Sequence, residues 1–463
     1  MTEVFGERAG RGGDAGWDPA AVRLPPRRSS FVGRAAELGE VAARLGRYAM
    51  VTLVGVGGVG KTALAVEAAW IEVSAGRAEL ACYVDLVPCR TEDQVLAALV
   101  EGVGIRGAQV AAGLDAVVDA VSSRRSLLVI DNCEHVLESA RCACDRLAGQ
   151  TADLRLLVTS RIPLDVEPEC VWLVPPMAVP GEADRPAMTE AVSLFFARAA
   201  MAGVTLQAGP AELGLASSIC RQAGGLPLAI ELAANGLRVA SPTELAEGLG
   251  SSGWPARSAG RGRHDSLDAC LTWSHALLSA DAAVVFRRLS VFPSGFDLAA
   301  AHEVAGTQPV KDGQVGALVG ELVTASLLEA DTSGTRTRFR FNEPVRQYAA
   351  ARLADAGEED LAGQRHAAAF LARAEAAEPM LFAPQAEQHC DLLEFDRPDH
   401  DAALGWLLAS GAVEDAQRLA AALYFFWYTR GLFVTGLRWL RATLAAEGQA
   451  EGQVKPMVRA DPG

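Results

Sequence analysis

The segment Gly55-Val56-Gly57-Gly58-Val59-Gly60-Lys61-Thr62 restricts the folds open to this chain more than any other. It fits the pattern G-x-x-x-x-G-K-[ST] and directly follows the apolar run Met50 to Val54. An Ala-rich helical stretch, Ala63 to Trp70, leaves it, so the motif lies between a strand and a helix. Glycines are needed because a loop wrapped around phosphates takes backbone angles that side chains forbid. Successive N–H groups can then point at the anion, and the helix N-terminus adds its dipole. In this pattern Gly55, Gly57, Gly58, Val59, Gly60 and Ala63 surround the phosphates. Lys61 reaches the β- and γ-phosphates, and the Thr62 hydroxyl holds Mg²⁺. The motif predicts ATP or ADP with Mg²⁺. The plain alternative is a Gly-rich turn, against which motif and context agree.

Strand-like runs recur at 49–54, 81–86, 126–131, 154–159 and 171–174, alternating with helical ones. Continuous apolar strands separated by helices are what a parallel sheet covered on both faces demands. Residues 28–182 are therefore read as an α/β P-loop NTPase domain, ending at Pro175, Pro176 and Pro180. Residues 183–252 are read as an all-α helical subdomain, and the Gly/Ser/Arg-rich stretch Gly250 to Arg263 as a linker. Residues 262–358 combine helices with the alternating run Arg336 to Phe341, which predicts a small winged-helix module. From 360 to 447 the chain is read as repeat-like α-helical hairpins, with helices at 412–429 and 432–447 joined at Gly431. Residues 1–27 are expected to be a disordered tail and 448–463 a polar one. The aromatic run Tyr424 to Tyr428 is read as core packing, with a peptide-binding groove as the alternative.

Composition narrows the partners. The 463 residues carry a formal charge of −15, which argues against a broad nucleic-acid footprint, since phosphate contacts need clustered Lys and Arg. The nine cysteines form no C-x-x-C pair, and a reduced, cytoplasmic location is expected. The first residues have no apolar core of a signal peptide, and no apolar stretch approaches the ~20 residues that span a bilayer. Cys133, Cys142, Cys144 and His135 match no common zinc spacing.

A second carboxylate signature completes the predicted site. Leu127 to Ile130 form an apolar strand ending at Asp131, which would bind Mg²⁺ through water beside Thr62. The acid that often follows as hydrolytic base is replaced by Asn132, which cannot accept a proton. Glu134 is the next candidate to orient water. Lys61, Asp131 and Glu134 are thus the candidate catalytic residues of a weak ATPase that hydrolyses slowly. Arg161 closes a further strand, where its guanidinium would sense the γ-phosphate; a surface salt bridge is the plain alternative.

Several separated segments then point one way. Phe31-Val32-Gly33-Arg34 with Glu37 precedes the phosphate loop, and Leu127 to His135 and Leu157 to Arg161 follow it. Gly225-Leu226-Pro227-Leu228-Ala229-Ile230-Glu231-Leu232, Phe286 to Phe292 and Val345-Arg346-Gln347-Tyr348-Ala349 complete the series. In order and spacing the chain resembles the NB-ARC ATPases of the STAND class from about residue 28 to 445. It looks most similar to bacterial regulators of the LuxR and SARP types that join such a module to tetratricopeptide-like repeats. The resemblance implies a switch closed by ADP and opened for self-association by ATP. Val32, Gly33 and Arg34 would border adenine and ribose, Pro227 would pack on the base, and Arg161 would be the γ-phosphate sensor. Relatives often carry Met-His-Asp where this chain has Phe341, Asn342 and Glu343, so Asn342 would face the ADP β-phosphate without charge. Asn342 also suits the N-cap of the following helix.

No recognisable DNA-reading domain stands at either end of the sequence, and in this family the winged helix is a structural arm of the switch, so direct DNA binding is not expected. Partners are expected to be ATP and ADP, proteins docking on the helical C-terminal part, and further copies of the chain in a nucleotide-dependent homo-oligomer; no membrane is expected. Three alternatives stand beside a signalling switch tied to transcription: a regulator reading DNA through its winged helix, a mechanical ATPase, and a shortened regulator that retains only nucleotide binding.

Overall fold

The computed structural model describes residues 22–27, 31–105, 112–122, 124–150, 153–167, 169–181, 187–251, 264–311, 313–332, 336–383 and 386–452. Its first module is a five-stranded parallel sheet. The strands are β1 (Met50–Val54), β2 (Leu80–Asp85), β3 (Ser126–Asp131), β4 (Leu154–Ser160) and β5 (Glu169–Leu173), in the spatial order β2-β3-β4-β1-β5. Around it lie α1 (Ala35–Leu45), α2 (Lys61–Ser74), α3 (Glu92–Val103), α4 (Leu114–Ser122) and α5 (Leu137–Gln150). Val51, Leu53, Leu127, Val129 and Leu157 join one core, while Leu128, Ile130, Leu156 and Val158 join the other. Neighbouring residues of one strand thus face opposite cores, which is why these strands read as unbroken apolar runs.

One expectation fails at the start of the described chain. Val22–Arg27 are not a free tail: the Arg23 N–H donates to the Ala81 carbonyl at 2.8 Å, and its carbonyl accepts from Tyr83 N–H at 2.9 Å. Trp70 Nε1 donates to the Pro25 carbonyl at 2.8 Å. The segment covers the exposed edge of β2, whose free backbone groups accept any chain able to pair.

A helical module follows, with α6 (Glu190–Met201), α7 (Pro210–Gln222), α8 (Pro227–Gly236) and α9 (Pro242–Ser251). Most of the expected linker, residues 252–263, lies outside the described residues. Next come α10 (His264–Ala276), α11 (Ala280–Arg288), α12 (Leu298–Ala305) and α13 (Val315–Thr324). The antiparallel ribbon of β6 (Glu329–Asp331) and β7 (Arg338–Arg340) and then α14 (Glu343–Asp355) complete a winged helix around buried Phe286, Phe292 and Phe296.

The C-terminal part is wholly helical: α15 (Glu359–Ala377), α16 (Ala386–Phe395), α17 (Arg397–Ala409), α18 (Val413–Arg430) and α19 (Phe433–Gly452). Gly431 ends α18 in the left-handed region, φ 72°, where glycine is unstrained. The helix α19 continues through residues 448–452, which were expected to belong to a polar tail; 453–463 lie outside the described residues. The aromatic run divides. Phe426 and Trp427 are buried, whereas Tyr424 and Tyr428 are exposed and Phe425 stacks on Phe382 at 4.3 Å. Among the described residues no helix is long and apolar enough to cross a membrane.

Candidate functional site

The carboxyl ends of β1, β4 and β3 lie side by side, so the phosphate loop, Thr159-Ser160-Arg161 and Asp131 converge although ~100 residues of chain run between the loop and Arg161. Gly58 and Gly60 have φ of 78° and 93°, angles that L side chains rarely take. A Cβ on Gly55 would stand 3.1 Å from Val59 Cγ1. A Cβ on Gly57 would stand 3.2 Å from Pro344 Cγ. The loop is therefore a bare backbone cradle leading into the N-terminus of α2, the arrangement that suits a polyphosphate. Lys61 opens α2, and its Nζ folds back to donate to the Gly55 carbonyl at 2.7 Å and the Val56 carbonyl at 3.2 Å. Burial lowers the proton affinity of its amine below the ordinary value, and Glu134 and Asp131 pull the other way.

Asp131 is completely buried and accepts from four side chains. Thr62 Oγ1 donates to its Oδ1 at 2.9 Å, and Thr159 Oγ1 donates to the same oxygen. Tyr83 OH donates to Oδ2 at 2.7 Å and Asn132 Nδ2 at 2.9 Å. Burial raises the Asp131 carboxyl above its ordinary value, while the hydrogen bonds from Thr159, Tyr83 and Thr62 oppose the rise. A hydroxyl and a carboxylate in contact form a hard oxygen pair of the kind Mg²⁺ takes while keeping several waters. Among the described residues no group of three or more His, Cys, Asp or Glu is placed to hold a metal.

Arg161 Nε donates to Glu134 Oε1 at 3.1 Å, and its Nη2 donates to Gln347 Oε1 at 2.7 Å. Glu134 Oε2 is buried without a hydrogen-bond partner, an acceptor that a water could satisfy. Two other modules reach the loop. At the start of α8, the Leu228 N–H donates to the Gly58 carbonyl at 3.3 Å, and Pro227 lies 3.6 Å from where a Gly60 Cβ would be. At the start of α14, Pro344 sits on Gly57.

The remaining predicted residues have different surroundings. Arg34 is buried in the left-handed region, φ 65°, and its Nη2 donates to the Val59 carbonyl at 2.9 Å. Its Nη1 donates to the Pro175 carbonyl at 2.6 Å and to Glu37 at 2.9 Å. The side chain therefore braces the phosphate loop from behind. Val32 packs against the main core, and Gly33 lies against Glu190, which accepts from the Arg34 N–H at 2.7 Å. Ala63 lies in the first turn of α2. Asn342 precedes α14, but its side chain makes no capping hydrogen bond, so the expected N-cap role is not realised through that side chain.

Tyr83, Asp85, Thr159, Glu190 and Pro344 are not among the candidates read from the sequence, and Gln347 enters there only within the run Val345 to Ala349. Asp85 and Tyr83 reach Asp131 because β2 pairs with β3 in register, Asp85 opposite Asp131. Only Thr159 carried a local signal, as a polar residue at the end of an apolar strand beside Arg161.

Residues 278–354 match the family described as a winged helix-turn-helix domain. A predicted HTH-type transcriptional regulator of Mycobacterium tuberculosis is 35% identical over 424 residues, covering 90% of this chain and 46% of that protein. The chain thus spans about half the length of that relative. An uncharacterised protein of the same organism is 33% identical over 339 residues, covering 72% of this chain and 83% of that protein. Among solved structures, a Signal Transduction ATPase with Numerous Domains carrying a tetratricopeptide repeat sensor, from Pyrococcus horikoshii, superposes with TM-score 0.48 at 14% identity. That match covers 92% of this chain and 60% of the other. The Aeropyrum pernix ORC1 protein in complex with DNA superposes with TM-score 0.27 at 19% identity, covering 72% and 94%.

Proposed function

The chain belongs to the protein family of the uncharacterised Mycobacterium tuberculosis relative, and we propose that it works as a nucleotide-operated switch of the NB-ARC type. ADP or ATP with Mg²⁺ would occupy the cradle of Gly55 to Ala63. The observation that carries this is the seating of α14 on the loop, with Pro344 against Gly57 and Gln347 on Arg161. One module of the switch thereby touches the place where phosphates would bind. Lys61 would neutralise phosphate charge, Thr62 and Asp131 would hold Mg²⁺, and Pro227 would border the base.

Arg161 is shared between Glu134 and Gln347 in this closed arrangement. A γ-phosphate would compete for the guanidinium, and its release from Gln347 would free α14. Shifting a two-state population from 1:99 to 99:1 takes about 5.5 kcal/mol of differential binding. Charge-assisted bonds of about 1.5–3 kcal/mol each supply a large share of it. Asn132, lacking a base function, fits slow hydrolysis suited to timing. Self-association after opening, partner proteins on α15 to α19 and a role in transcription belong to the same proposal.

The test is to denature freshly purified protein and identify the released nucleotide by chromatography, beside Lys61→Ala. Stoichiometric ADP from the wild type and none from the variant is expected; no nucleotide from either, and none bound on addition, would overturn the proposal.

A second proposal, direct DNA reading, is favoured by the winged helix-turn-helix match and by the regulator relative. Charge argues against it. Helix α13, which precedes the wing, contains no Lys or Arg. The wing arginines Arg336, Arg338 and Arg340 are paired with Asp297, Asp396 and Glu329 at 3.8, 3.4 and 2.9 Å. Binding to duplex DNA with a steep salt slope would establish it.

A further inference from the structure

A cleft of about 420 Å³ opens between the nucleotide-binding module and the C-terminal helices. Val84, Val100 and Ile105 form an apolar wall on the β2–α3 side, and Leu432 and Val434 face them from the junction of α18 and α19. Nearly all the charged groups lining it are satisfied. Arg397 pairs with Glu101 and lies 4.0 Å from Glu394, and Arg430 pairs with Asp391. Asp85 accepts from the Val87 N–H at 2.9 Å and from Asn132 Nδ2 at 3.3 Å.

Arg23 is different. It lines the cleft and its buried Nε has no hydrogen-bond partner; Arg430 Nε has none either, but Glu394 lies 3.9 Å from it, whereas Arg23 makes no ion pair among the described residues. Pairing with β2 fixes its backbone. Its guanidinium lies over Gly104, where a Cβ would stand 2.5 Å from Cζ. A buried Nε–H left without an acceptor is costly, and a bound anion would remove that penalty. Its apolar surroundings suit a ligand that is more than a bare inorganic ion.

We propose that this cleft is a second ligand site, separate from the phosphate loop, for a small organic anion with an apolar body. The acid group would rest on Arg23 and the body between Ile105 and Leu432. Tyr83 lines the cleft and also donates to Asp131, so the two sites share one side chain. The inference does not depend on the nucleotide proposal.

The test is a fluorescence titration of the whole chain with anilinonaphthalene sulfonate, an aromatic body carrying one sulfonate, in the absence of nucleotide. One saturable site is expected. Arg23→Gln should weaken it about ten-fold, the loss of a charge-assisted contact. Val434→Trp, which fills the opposite wall, should remove it. Lys61→Ala should bind as the wild type does, which separates this site from the phosphate loop. Hexanoate should displace the probe from the wild type and hexanamide should not, an outcome independent of whether any variant folds. Absence of saturable binding, equal affinity in Arg23→Gln at unchanged melting temperature, loss of binding in Lys61→Ala, or equal displacement by the amide would each overturn the proposal.

Discussion

Tyr83 donates a hydrogen bond of 2.7 Å to Asp131, joining β2 to the carboxylate at the end of β3. With Thr62, Thr159 and Asn132 it makes four donors around one buried acid. Donors of this kind favour the ionised form and fix its orientation. Tyr83→Phe keeps the ring and removes one donor, so protons should compete better with Mg²⁺ for Asp131. We predict a several-fold higher Mg²⁺ midpoint for nucleotide binding, the gap growing as pH falls, measured by Mg²⁺ titration at two pH values. An unchanged midpoint at both would sink this role for Tyr83.

Gly57 is the point at which the winged helix meets the phosphate loop. An added Cβ would stand 3.2 Å from Pro344 Cγ and 3.7 Å from Arg161 Nη2. Gly57→Ala should therefore push the start of α14 outward while leaving the sheet in place. Hydrogen exchange should be several-fold faster at the N-terminus of α14 and unchanged in β1 and β3. Unaltered exchange in α14 would show that the contact is not restraining.

His400 lies in the core of the C-terminal helices, edge-on to Phe370 at 5.6 Å, and neither ring nitrogen has a partner. Burial pushes it from its ordinary value of 6.5 down to about 3, with nearby His366 and Arg373 adding repulsion. Asp399, beside it in sequence, is occupied by His366 at 3.0 Å. The unfolded chain therefore binds more protons below pH 6.5, so stability falls as pH drops through that value. At pH 5 the loss from this group is about 2 kcal/mol. His400→Leu should show a smaller drop in melting temperature between pH 7 and pH 5 than the wild type; parallel curves would contradict this.

Arg288 is a buried cation whose partners come from two segments. Its Nε donates to Glu358 at 3.0 Å, and its terminal nitrogens donate to the Thr307 carbonyl at 2.8 Å and the Gln308 carbonyl at 3.0 Å. Burial opposes ionisation of Glu358, yet hydrogen bonds from Arg287 and Arg288 hold its carboxyl below the ordinary value. Arg288→Met keeps the apolar stem and strands the Thr307 and Gln308 carbonyls, while Glu358 keeps Arg287 at 2.9 Å. Each buried acceptor left unsatisfied costs about 1–3 kcal/mol. Chemical denaturation should report a loss of that size, and a loss under about 1 kcal/mol would mean that water replaces the guanidinium.

Local chemistry was legible in the sequence, and long-range pairing was not. Gly55 to Thr62, the run ending at Asp131 and the stop at Gly431 announce themselves because glycines and apolar periodicity act over a few residues. The strand positions followed from the same logic, since a sheet buried on both faces needs unbroken apolar runs. Tyr83 reaches Asp131 only because β2 lies beside β3, and strand order is set by the packing of the whole domain. Gln347 reaches Arg161 across 186 residues through the seating of one module on another. Arg23 reads in the sequence as part of a tail because a segment that pairs with a sheet edge through its backbone leaves no pattern in its side chains.

The most direct measurement is the dissociation rate of a fluorescent ADP from the wild type and from Gln347→Ala. If α14 closes over the nucleotide through Arg161, removing the 2.7 Å contact should speed release about ten-fold, the effect of one charge-assisted hydrogen bond. Equal rates, with binding intact in both, would contradict the proposal that the winged helix gates the site.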